Sequence, residues 1–167
     1  MGRQLMGLLD RIPAHVRAMA PDERVVAWAT DANDEVVFAS TTAFHFPGAD
    51  GREVMAWDLM VRASWSEPEL DVTYQRAPGA VMEHVVLHLV EPGSLPGAVR
   101  ERITSSIVVE SHVLLTGTRG VRVLARRTAT DQVRWSVVFD SGLDPRDPEL
   151  RRRADIALAD LRAQWGV

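Results

Sequence analysis

The run RVVAWAT at residues 24–30 is followed by EVVFAS at 35–40, TAFHF at 42–46 and MAWDLMVRASW at 55–65. Each run is short, rich in β-branched and aromatic residues, and bounded by Asp, Asn, Gly or Pro. That is the pattern of strands joined by tight turns. Asp31-Ala32-Asn33-Asp34 is turn-forming and joins the first two runs as a hairpin. Phe44 and Phe46 share a face under strand alternation. Residues 47–51 (PGADG) read as a loop, and Val54–Trp65 as one strand closed by Glu67-Pro68. A meander of this kind must cover its apolar face, and the elements downstream supply the cover.

Leu70–Tyr74 and Val81–Val90 read as two further strands separated by Arg76-Ala77-Pro78-Gly79. Alternation puts Val85, Leu87 and Leu89 on one face of the second strand, and His84, Val86 and His88 on the other. Leu95, Val99 and Ile103 recur four apart and predict a mid-chain helix through roughly Val99–Ser105. Ile107–Leu115, Val121–Arg127 and Val133–Phe139 then form a second meander of three strands. Asp147 as N-cap, Pro148 at the first helical position and Gly166 as a stop frame a terminal helix. Its expected buried stripe is Leu150, Ala154, Ala157, Leu158, Leu161 and Trp165. Upstream, residues 4–20 read as a helical lead-in that Pro13 interrupts. The expected organisation is a lead-in over 1–21 and a single domain over 22–167. The expected fold class is α+β: a mostly antiparallel curved sheet or partial barrel, with the mid-chain and C-terminal helices packing on the sheet.

Composition excludes several chemistries. The chain of 167 residues contains no cysteine, so it has no disulfide, thiol nucleophile, iron–sulfur cluster or thiolate zinc site. It contains no lysine either, and all 19 basic residues are Arg, which rules out Schiff-base chemistry and a P-loop lysine. No cofactor is expected. Charge is uneven: residues 1–90 carry −6 and residues 91–167 carry +2, for a net −4. An acidic chain is a poor non-specific ligand for nucleic acid, and none is expected as a partner. The longest apolar runs are too short to cross a bilayer. The N-terminal stretch carries Asp10 and Arg11 inside its apolar part, unlike a signal peptide, so a cytoplasmic location is expected.

Few residues offer themselves as sites. His84 and His88 have metal-ligand spacing only on a helix; on a strand they stand about 13 Å apart. No metal site is expected from them. Ser105 or Ser106 with His112 and Asp140 supplies the residue types of a hydrolase triad, but no nucleophile turn accompanies them, and no catalytic residue is assigned. Asp58 and Asp140 read as isolated carboxylates that cap turns or strand ends. Arg122 and Arg126 alternate on one strand face, Arg134 lies on the neighbouring strand, and Arg119 sits in the turn between. Together they make a candidate basic face for an acidic partner or phosphate groups, or else a solvated face with ion pairs. Trp28, Trp135 and Trp165 fit apolar stripes and read as core. Trp57 and Trp65 are candidate binding aromatics.

RVVAWAT, EVVFAS, TAFHF, WDLMVRASW and ELDV, in that order, resemble the strand series of bacterial pleckstrin-homology-like and GRAM-like domains. LPGAVRERITSSIVV at 95–109 and GVRVLARR at 120–127 are similar to an uncharacterised actinobacterial protein family of the same length. The resemblance spans most of residues 22–165 and rests on patterning, not on a catalytic signature. It departs from a plain pleckstrin-homology pattern in that three more strands follow the mid-chain helix. It implies a binding or adaptor module for a protein or lipid, and not an enzyme. The alternative expectation is a small barrel that holds a hydrophobic ligand between sheet and helix, with a hydrolase third.

Overall fold

The computed structural model describes residues 11–166. The part of the expected lead-in before residue 11 lies outside the described residues. The chain gathers into two compact units, the first up to Ser105 and the second from Ser106 onward. Sequence patterning treats 22–167 as one domain; the residue contacts divide it between Ser105 and Ser106.

In the first unit a short helix α1 (Ala14–Ala18) leads into β1 (Val25–Asp31), β2 (Val36–Ser40), β3 (Ala43–Gly48) and β4 (Gly51–Ala56). A single 3-10 turn at Trp57–Leu59 follows, then β5 (Met60–Ser66), β6 (Glu69–Gln75), β7 (Met82–Val90) and helix α2 (Leu95–Ser106). The seven strands form one open antiparallel sheet in the order β4-β3-β2-β1-β7-β6-β5. The β1–β2 turn is fixed locally. The buried Asp31 carboxylate accepts from Asn33 N at 2.8 Å and Glu35 N at 2.9 Å, while Asp34 takes a left-handed φ of 62°.

Alternation sorts each strand into two faces. Ala27, Val37, Phe44, Phe46, Met60, Leu70, Val72 and Leu87 fall on the inner face and form one cluster with Leu95, Val99 and Ile103 of α2. Both halves of the sheet thus bury against the same helix, and the sheet curves around it without closing. The expected single strand Val54–Trp65 is instead two strands. Trp57 is 6% exposed and its Nε1 donates to Ser40 O at 3.0 Å, which pins the intervening turn into the core.

In the second unit β8 (Ile107–Thr116), β9 (Arg119–Arg127) and β10 (Val133–Phe139) form a three-stranded antiparallel sheet with β9 in the centre. The last helix, α3 (Pro148–Trp165), begins as the sequence dictates: Asp147 accepts from Glu149 N at 2.9 Å and Leu150 N at 3.2 Å, and Pro148 stands in the first turn. Gly166 ends it at φ 68°. Ala154, with Leu150, Leu158 and Leu161, packs on Leu115, Val121 and Val123. The expected stripe ends there: Trp165 is 56% exposed. It stands a full turn past Leu161, the last α3 residue that reaches this cluster.

Candidate functional site

The arginine face in the second unit follows from register. Across β9 and β10, Arg126 pairs with Arg134 and Arg122 with Val138; across β8 and β9, Arg122 pairs with His112 and Leu124 with Glu110. Directly paired residues share a face, so Glu110, His112, Arg122, Arg126 and Arg134 all lie opposite the side covered by α3. Arg122 Nε sits 3.4 Å from Glu110 Oε1 and is exposed. Arg126 is only 4% exposed, and its Nη1 donates to Ser106 Oγ at 3.3 Å. Arg134 is half-buried beside it. The three arginines are therefore brought together on one face, but Arg126 is a buried structural cation and Arg122 and Arg134 form the accessible part.

His112 Nε2 lies 2.7 Å from Asp140 Oδ2, and the same oxygen accepts from Gly120 N at 2.7 Å. The Gly120 N–H, and then His112, hold the Asp140 carboxyl below its ordinary value. Two members of the candidate triad thus meet. The hydroxyls go elsewhere: Ser105 Oγ donates to Arg102 O at 3.2 Å, and Ser106 Oγ accepts from Arg126. Trp57 is core, and Trp65 is half-buried against the first unit's inner cluster. His84 and His88 project from the outer face of β7, each with its own carboxylate: Asp71 at 2.7 Å and Glu69 at 3.1 Å. Among the described residues no group of three or more His, Cys, Asp or Glu is placed to hold a metal ion.

One polar cluster has no trace in local sequence patterning. Glu23, in the turn before β1, accepts from Ser40 Oγ and pairs with His45 Nε2 at 2.9 Å. Burial pushes the Glu23 carboxyl up, but hydrogen bonds from Ser40, His45 and Thr42 outweigh it and hold the group below its ordinary value. The partners lie 17 and 22 residues away, so only the strand pairing assembles them. Serine and histidine both address the carboxylate, which ties the turn before β1 to β2 and β3.

The turns at one end of the seven-stranded sheet are acidic. Asp34, Glu35 and Asp50 lie in or beside the β1–β2 and β3–β4 turns. Arg52 reaches back to Val36 O at 2.8 Å, and Arg76 pairs with Glu53 at 2.9 Å and Glu83 at 2.6 Å. Two open grooves of about 420 and 480 Å³ run along the solvent side of α2 past Gly97 and Glu101. Comparison with protein-family models, with curated proteins and with solved structures gives no match. Among the described residues no helix is long and apolar enough to cross a membrane.

Proposed function

We propose that the chain is a non-enzymatic, pleckstrin-homology-like adaptor whose partner is a protein presenting an acidic segment to the Arg122/Arg134 face. The observation that carries this reading is the register that lines up Arg122, Arg126 and Arg134 on the side of β8–β10 opposite α3. Glu110 on Arg122 is the in-cis counterpart of the carboxylate that a partner would supply. The pleckstrin-homology-like part of the reading draws on seven antiparallel strands followed by a helix that fills the sheet's concave side.

Two further observations favour a protein over the other expected ligands. The turn end of the first unit carries Asp34, Glu35 and Asp50, and these carboxylates repel an anionic lipid surface. Phe44, Phe46, Met60 and Leu95, each no more than 1% exposed, occupy the space between sheet and α2 that a hydrophobic ligand would need.

The test is affinity purification from the native host with the wild-type chain and with the Arg122→Glu/Arg134→Glu variant. Acidic proteins retained by the first and lost by the second support the reading. An unchanged set of retained proteins overturns it.

A further inference from the structure

The outer face of β1–β3 is apolar where a two-layer domain ordinarily meets water, and α1 sits on it. Val16, Ala20, Val25 and Phe38 form a second buried cluster there, with Ile12, Trp28 and Val36 packed around it. Phe38 is fully buried and stacks on His45 with ring centroids 4.2 Å apart and planes 13° apart. The Arg52 guanidinium also lies over the Phe38 ring, 5.6 Å from its centroid. The cover is slight. Helix α1 has five residues, and only Val16 within it is buried, with Ala20 just beyond its end.

What ties this cover down is polar. Glu23 follows α1 and holds Ser40, Thr42 and His45. Beneath the cover, His45 Nδ1 and Trp28 Nε1 are buried with no hydrogen-bond partner among the described residues. Buried polar groups without partners penalise the closed state, and water relieves that penalty on opening. A weakly anchored segment above unsatisfied polar groups belongs to the low-stability end of a fold.

We propose that residues 12–23, around α1, are a detachable plug: Ile12, Val16 and Ala20, closed by Glu23, occupy a docking face for a partner's short helical segment of the same chemistry. That helix would place apolar residues at four-residue spacing over Phe38 and Trp28. Its carboxylate, one turn past the last of them, would replace Glu23 on Ser40 and His45. The plug itself is the argument for this occupant, because it shows which side chains the face accepts.

The probe is a labelled peptide of residues 11–24, added to the full chain. The wild type, with its own plug in place, should bind it weakly. Val16→Asp, which dislodges the plug, should bind at least about tenfold more tightly, since the intramolecular competitor is removed. Phe38→Ala in that background, or Glu23→Gln in the peptide, should cost about tenfold again. Equal binding by wild type and Val16→Asp overturns the proposal. So does loss of hydrogen-exchange protection in β5–β7 of Val16→Asp, because α1 would then be an integral part of the core. In the wild type, α1 and the β2–β3 amides should exchange by a local opening ahead of β6. Exchange of both only through one global event would also overturn it.

Discussion

His112 and Asp140 face each other at 2.7 Å and join the middle of β8 to the residue that follows β10. The same carboxylate takes the Gly120 N–H of β9, so one side chain spans all three strands.

Asp140 should make the second unit acid-sensitive. Its carboxyl is held low in the folded chain by the Gly120 N–H and by His112. A depressed folded value stabilises fully above the ordinary aspartate range and loses that contribution as pH falls through the folded value. Asp140→Ala should therefore melt below wild type near neutrality, with the gap closing below about pH 4. Thermal melts across a pH series check this. A gap that stays constant means that the effect is not carried by the carboxylate charge.

Gly120→Ala should be far more damaging than Gly117→Ala. A Cβ at Gly120 would stand 1.9 Å from Val113 O, so the β8 and β9 backbones cannot remain paired. Gly117, in the turn at φ 59°, has nothing within 4 Å of an added Cβ and meets only the left-handed backbone penalty, about 1–2 kcal/mol. Chemical denaturation should show loss of a cooperative second-unit transition for Gly120→Ala and a modest shift for Gly117→Ala.

The terminal helix should tolerate its tryptophan and not its leucines. Leu158 and Leu161 pack on the three-stranded sheet, whereas Trp165 is 56% exposed. Their burial is partial, so Leu161→Ala should cost about 1–3 kcal/mol, overlapping only the lower part of the range for core leucines. Trp165→Ala and Arg152→Ala should each stay within about 0.5 kcal/mol. Equal losses for Leu161→Ala and Trp165→Ala would mean that the helix is not seated by its leucines.

Trp57 should act through stability alone. Trp57→Phe removes the donor to Ser40 O in a buried setting, which costs about 1–3 kcal/mol. The variant should retain the same partners as wild type wherever it is folded. Selective loss of a partner, with the melting temperature unchanged, would return Trp57 to the surface.

Residues whose role depends on near neighbours were legible in the sequence: the Asp147 cap, the Pro148 start, the Gly166 stop, the Asp31 turn, and the alternation that puts Arg122 and Arg126 on one face. These are contests between backbone conformations a few residues apart, and local side chains settle them. The sequence by itself also determined, through the absence of Cys and Lys, which chemistries the chain cannot perform. Periodicity names a face but not what covers it. Only the tertiary structure decided that α2 fills the seven-stranded sheet and α3 a separate three-stranded one, that Trp57 is buried and Trp165 exposed, and that Arg126 is a buried cation. It alone brought Glu23 to Ser40 and His45. Each of these depends on which distant segments pair, and that is fixed by the free energy of the whole chain, to which no short window of residues has access.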